Sequence, residues 1–341
     1  MSQVLRPGDV SRTTRAARAG DLLRDLSSGA LRTEAARVAP FPTGFEPLDR
    51  VLDGGFRTHD LVLVGGLPGV GKTIATLQWA RAVARNGDHA IFVCYEHDES
   101  VLLTRLLTAE IGELAAPEDV TRLDGLRQAL QRYTYGAPDE DEVLESSLLF
   151  RTARDRVAEY ADRLWLVRGS GAHTSLDDLE RLVVDHADER TMLFVDYLQK
   201  VAVHPEPEDE AHKVTLIAEG LKDLALQRDV AIVAVVAASQ VGLDARRTRL
   251  HHLRGSSALA YECDVAVILN EKFRAVSKVH LAYDTARAER FKHEVVFSLE
   301  KNRGGPSLVD VEFRKDFSNY RFHPHGGFVA ERLVDERLID E

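Results

Sequence analysis

Cysteine is nearly absent from this chain of 341 residues: only Cys94 and Cys263 occur, both beside strand-like sequence. Two thiols without accompanying ligand spacing build neither a disulfide framework nor a zinc site. No apolar run approaches the roughly 20 residues needed to cross a bilayer. The first 19 residues carry Arg and Thr without an apolar centre, so no secretory leader is read there and the expected location is cytoplasmic. An excess of positive charge is also missing. The formal net charge is −11, which argues against wholesale coating of nucleic acid but leaves room for a small basic lining inside a channel. There is no internal repeat and no long low-complexity tract.

What is present is an ordinary globular composition, 44% hydrophobic and 29% charged, in a chain long enough to bury a sizeable core. Residues 1–40 read as a polar arm with one short helical pattern, Leu22, Leu23 and Leu26, stopped by Gly29. Pro40-Phe41-Pro42 opens the main domain, 41–322, and 323–341 is expected to form a tail. Within the domain, apolar strand-like runs (Leu61–Val64, Ala90–Cys94, Leu164–Val167, Met192–Val195, Ala231–Ala237, Val265–Leu269) alternate with helical segments. Ser100 is expected to cap the helix bearing Leu103, Leu106, Leu107 and Ile111, and Ser175 with Asp178 to form a capping box. Gly136–Glu145 reads as an acidic surface loop. Antiparallel strands are expected from Glu294 to Phe322, turning at Asn302–Pro306. The fold class that follows is α/β, with a mainly parallel sheet covered by helices on both faces and antiparallel strands at its C-terminal end.

Gly66-Leu67-Pro68-Gly69-Val70-Gly71-Lys72-Thr73 satisfies G-x-x-x-x-G-K-[ST] in full, between a strand and a helix. Glycines allow backbone N–H groups to curl around phosphate oxygens, and the helix beginning near Thr73 adds its positive dipole end. Lys72 is expected to bridge the β- and γ-phosphates of ATP, and the Thr73 hydroxyl to ligate Mg²⁺. Asp196 ends a buried strand, where open α/β sheets bind ligands, and is the second candidate for the metal site. Glu96, just past another strand, is the candidate for orienting the attacking water, with Asp98 and Glu99 as competitors. Ser239-Gln240 closes a further strand, and the Gln240 amide is placed to sense the γ-phosphate or to end the strand.

Thr43–Asp49, Val195-Asp196-Tyr197-Leu198-Gln199, Ser239-Gln240, Leu253-Arg254-Gly255-Ser256-Ser257 and Lys301-Asn302-Arg303-Gly304-Gly305-Pro306 occur in an order and spacing that resembles the ATPase domain of DnaB-type replicative helicases, within the RecA-like superfamily. The resemblance runs from about Pro42 to Phe322. Around the phosphate loop and Tyr95–Ser100 the sequence is more similar to RadA- or KaiC-type ATPases. The resemblance implies a ring of six copies with ATP at each boundary, Arg303 as an arginine finger and Lys301 as its companion in the neighbour's site. It also places the Leu22–Leu26 pattern where the family has a linker helix docked on the next subunit.

The segment after Gln240 carries Arg246, Arg247 and Arg249, with Arg254 beyond. These are the candidates for gripping single-stranded DNA through its phosphates. Two functions remain: a DNA-stimulated, helicase-like motor, or a regulatory ATPase acting on a protein partner. The acidic run Glu206, Glu208, Asp209 and Glu210 reads as a solvated loop.

Overall fold

In the computed structural model, which describes residues 18–28, 39–116, 120–136, 140–186, 190–255, 257–277, 279–280 and 285–334, the apolar runs become the central strands of one sheet. The first half contains α1 (Ala19–Ser28), α2 (Glu46–Val51), β1 (Leu61–Gly66), α3 (Lys72–Arg85), β2 (His89–Cys94) and α4 (Glu99–Leu114). Then follow α5 (Val120–Thr134), α6 (Asp141–Ser146), α7 (Leu148–Ala161), β3 (Leu164–Arg168), α8 (Leu176–His186) and β4 (Thr191–Asp196). After these come α9 (Glu210–Arg228), β5 (Ala231–Ala237), α10 (Gln240–Asp244), α11 (Ala258–Glu262), β6 (Val265–Glu271), α12 (Lys272–Ala275) and α13 (Thr285–Phe291). The chain closes with β7 (Glu294–Asn302), β8 (Val309–Asp316), β9 (Arg321–Phe322) and β10 (Gly327–Phe328).

The strand order is β10-β8-β7-β6-β1-β5-β4-β2-β3, with β9 paired to β8. The six strands from β6 to β3 run parallel, and β7, β8 and β10 are antiparallel additions. Strands buried on both faces need an apolar layer on each side. On one face Val62, Val64, Phe92 and Phe194 pack with Trp79 of α3 and with Phe45, Phe297 and Phe313. On the other, Leu61, Leu63, Ile91 and Val93 meet Val214, Ile217 and Leu221 of α9. The antiparallel end is also fastened by charge. Lys272, almost fully buried, lies 2.8, 2.6 and 3.0 Å from carboxylates of Glu294, Glu312 and Glu331.

The expected parallel core and C-terminal antiparallel strands are both present, and Ser175 and Asp178 exchange the reciprocal bonds of a capping box. Three local expectations are corrected. Asp98, not Ser100, caps α4: its backbone is extended and its carboxylate accepts from Val101 N at 2.9 Å. The acidic loop expected over Gly136–Glu145 contains the start of α6, because Leu144 is buried with Leu126, Leu130 and Phe150 in a small helical cluster. The sheet also continues past 322, with Gly327 and Phe328 pairing to β8 and Leu333 bridging to Val276. Gly29, the expected helix stop, and Ser256 lie outside the described residues. Among the described residues no helix is long and apolar enough to cross a membrane. Both cysteines are buried free thiols.

Candidate nucleotide site

β1 ends between two parallel neighbours, Gly66 lying opposite Ala237 of β5 and Leu269 of β6. The turn that follows holds Gly66, Gly69 and Gly71 at φ of 145°, 77° and 97°, a region that only glycine enters without strain. Gly71 is constrained twice, since a Cβ there would lie 2.6 Å from Phe317 and 2.7 Å from Phe322. At Gly66 a Cβ would meet the Leu269 carbonyl oxygen at 2.5 Å. Gly69 faces open space. The loop is therefore held from behind by the sheet and by the turn after β8, and its outer surface is left clear.

Lys72 opens α3 and curls back over the loop, its Nζ donating to the Gly66 and Leu67 carbonyls at 2.9 Å each. Burial pulls its pKa down, against the opposing charges of Asp196 and Glu96. Asp196 ends β4 only 3% exposed. Burial pushes its carboxyl up to about 6, although a hydrogen bond from the Thr73 hydroxyl pulls the other way. Register brings Glu96 near: Cys94 lies opposite Asp196, and Tyr95 N donates to the Asp196 carbonyl at 2.9 Å. Pro68, Gly69, Gly71, Lys72, Thr73, Glu96 and Asp196 line one cavity of about 390 Å³. Thr73 and Asp196 offer it a hydroxyl and a carboxylate already in contact, a hard-oxygen pair that fits Mg²⁺.

Three predicted residues stand back from that cavity. Gly66 lies behind the loop, and Val70 is buried in the core. Gln240 is exposed at the first position of α10, whose N-cap Ser239 accepts from Gly242 N at 3.2 Å. Ala237, at the end of β5, lines the cavity in its place.

Other residues of the site carried no motif. Arg105 of α4 lies 5.1 Å over the Tyr320 ring, and both line the cavity. Arg105 also contacts His97 Nε2 at 2.8 Å, and His97 has its pKa lowered by burial and then by that cation. Gln78 of α3 bonds both backbone groups of Phe322, at 3.1 and 2.6 Å, and so ties the phosphate-loop helix to the turn that buttresses Gly71.

Arg303 and Lys301 lie elsewhere. β7 runs antiparallel to β6 and places Asn302 opposite Val265, at the end of the sheet remote from Gly66, which lies opposite Leu269. Arg303 donates to Asp264 Oδ1 at 3.0 Å and is about half exposed. Lys301 Nζ donates to the carbonyls of Ala260, Tyr261 and Cys263 at the end of α11.

A model of the DnaB-like helicase C-terminal domain matches residues 170–322, and a KaiC model matches 41–141. The replicative DNA helicase DnaB of Treponema pallidum is 28% identical over 82% of this chain and 55% of its own length. The chain is thus similar to DnaB-like helicases over its C-terminal part and to KaiC over its N-terminal part. The DNA repair protein RadA of Mycobacterium tuberculosis is 40% identical over 34% of this chain and 22% of its own length. The ATPase domain of G40P superposes with a TM-score of 0.68 at 18% identity, covering 90% of this chain and 99% of that one. A DnaB-like replicative helicase, described with its interactions with primase, gives 0.65 at 18%, covering 90% and 67%. The chain spans little more than half the length of the curated helicases it matches, 55% and 61% of two of them.

The basic segment between β5 and Leu253 is held inside the fold. Arg247, 8% exposed, donates to Asp310 and Ser298 at 2.6 and 3.1 Å. Arg249 Nε lies 2.8 Å from Glu300. Both are therefore removed from the list of groups free to grip DNA, because burial beside carboxylates satisfies their charge inside the fold. Arg246 donates to the Val276 carbonyl at 3.0 Å, and Arg254 forms a half-exposed pair with Glu210 at 2.8 Å.

Proposed function

We propose that the chain is the ATP-hydrolysing motor of a cytoplasmic ring, its domain opening near residue 41 and including the C-terminal strands that pair past 322, acting on single-stranded DNA in the manner of a helicase. The observation that carries this is the meeting of Lys72, Thr73, Asp196 and Glu96 at one cavity while Arg303 lies at the opposite end of the same sheet. One copy holds the phosphates, and Arg303, at the far end of the sheet from its own chain's cavity, is placed to serve the site of the next copy. Six subunits and the packing of α1 against a neighbour follow from the resemblance to the family.

In this reading the backbone N–H groups from Gly66 to Thr73, Val70 among them, wrap the ATP phosphates. Lys72 exchanges its bonds to the Gly66 and Leu67 carbonyls for the β- and γ-phosphate oxygens. Thr73 and Asp196 would hold Mg²⁺, which when bound supplies charge neutralisation across those oxygens. Glu96 orients the attacking water and accepts its proton. Arg303 of the adjoining copy stabilises the charge that develops on the phosphoryl group, while Lys301 braces the turn that carries it. Gln240 reads the γ-phosphate only if α10 swings toward the cavity. Arg254 and Arg246 remain as the DNA contacts.

A second reading, a regulatory ATPase acting on a protein partner, is favoured by the enclosure of Arg247 and Arg249 and by the net charge of −11. Turnover measured with and without single-stranded DNA at low salt, beside a mass measurement of the assembly, separates the two. Stimulation that Arg246→Glu and Arg254→Glu abolish supports the motor; turnover indifferent to DNA supports the regulator.

A further inference from the structure

The segment between β5 and Leu253 is built as a strap. Its two ends close back on one another, Ser239 N donating to the His252 carbonyl at 2.8 Å and Arg254 N to the Ala237 carbonyl at 2.8 Å. Its middle is fixed to β6 by the paired bonds of Thr248 N to Asn270 Oδ1 and Asn270 Nδ2 to the Thr248 carbonyl, 2.7 and 3.0 Å. From there Arg249 Nε reaches both carboxylate oxygens of Glu300, at 2.8 and 3.0 Å. Arg247 lies 3.9 Å from the same carboxylate while donating to Asp310. None of the Arg247, Arg249 and Glu300 side chains is more than 13% exposed.

Glu300 occupies a special position. The β6–β7 register slips there, with Lys301 opposite Ala266 and Leu299 opposite Val267. A bulge of this kind bends its strand and re-aims what lies beyond it, and what lies beyond is Lys301, Asn302 and Arg303. The strap therefore joins two places: the end of β5, whose Ala237 lines the nucleotide cavity, and the bulge that directs the turn carrying Arg303.

We propose that Glu300, gripped by Arg249 and Arg247, is a positioning residue that sets the reach of Arg303 into the neighbouring copy, so that the strap links a chain's own nucleotide site to the one it completes. The proposal rests on the reading of Arg303 as a finger supplied in trans. Arg247 and Arg249 then serve the transmission of force through the fold, and DNA is left to other groups.

Mixed assemblies test this. Glu300→Gln should bind a fluorescent ATP analogue as the unaltered chain does, yet turn ATP over about a hundredfold more slowly, the loss that a misplacement of about 1 Å produces. Mixing it with Glu96→Gln chains, which keep an intact Arg303 and whose own turnover is subtracted, should restore hydrolysis at Glu300→Gln sites. Arg303→Ala mixed with the same helper should recover likewise. No recovery in the Arg303→Ala mixture would overturn the trans finger on which the proposal stands. Recovery there without recovery in the Glu300→Gln mixture, or full turnover by Glu300→Gln alone, would overturn the positioning role. If Glu300→Gln does not fold, Glu300→Asp replaces it, keeping the charge on a side chain one methylene shorter, and the same two mixtures decide.

Discussion

Asp196 shows how one carboxyl can serve a site at a cost to the fold. Its pKa is raised, so the folded chain takes up a proton more readily than the unfolded one, and stability present at low pH is lost as pH rises through about 6. Asp196→Asn should therefore melt at a higher temperature than the unaltered protein at pH 8 without nucleotide, the gap closing below pH 6. Magnesium-dependent ATP binding should run the other way, weakening as pH falls through the same range, and in Asp196→Asn it should be weak and flat. A pH-independent binding curve for the unaltered chain would remove Asp196 from the metal site. The glycines give a second test. Gly71→Ala meets both a positive φ and the Phe317 and Phe322 rings, whereas Gly69→Ala meets the positive φ alone. The expected cost is about 1 kcal/mol for Gly69→Ala and about 1–3 kcal/mol more for Gly71→Ala, with loss of ATP binding; calorimetry of the two variants checks the order.

At the scale of elements, what could be read from sequence was what depends on neighbours along the chain. The phosphate loop is eight consecutive residues between a strand and a helix, and the strands announce themselves by apolar runs, so β1, β4 and β5 were legible to within a residue or two. Asp196 and Glu96 were legible as strand-end carboxylates. Tyr320, Phe317 and Gln78 were not, since Gln78 and Phe322 meet across 244 positions and nothing near either marks the contact. The basic segment misled for the same reason: Arg249 looks free until Glu300, 51 positions on, is folded against it. α6 was missed because one buried leucine in an acidic stretch overrides a loop-like composition. Two outcomes follow. Gln78→Ala strands the Phe322 N–H and carbonyl, and should cost about 1–3 kcal/mol while weakening ATP binding, because the support behind Gly71 loosens. Leu130→Ala, in the cluster of α5 with Ile111 and Phe150, should cost about 2–5 kcal/mol in hydrogen-exchange protection of α5 and α6, with ATP affinity little changed.

Over the whole molecule, a single sheet carries the phosphate loop at one end and Arg303 at the other. The parallel strands present phosphate-binding groups at their C-terminal ends, and the antiparallel strand β7 returns Arg303 to the far end, docked against Asp264. Arg303→Ala should leave assembly and ATP binding intact and slow hydrolysis by about 10³-fold or more, the range for a finger supplied in trans. Normal hydrolysis by that variant would mean that each copy works alone. The net charge of −11 has its place at this scale as well, since it disfavours non-specific adhesion to nucleic acid and leaves any grip on DNA to a few local cations.

The separation of Lys72 from Arg303 across the sheet has a further consequence for how such a protein would behave as its abundance changes. If Arg303 acts in trans, a correctly folded chain diluted below the threshold for self-association would bind ATP but scarcely hydrolyse it, and its specific activity would climb with concentration until the circle closed. Fuel consumption would then be governed by crowding of identical copies, with no inhibitor required to keep isolated ones quiet.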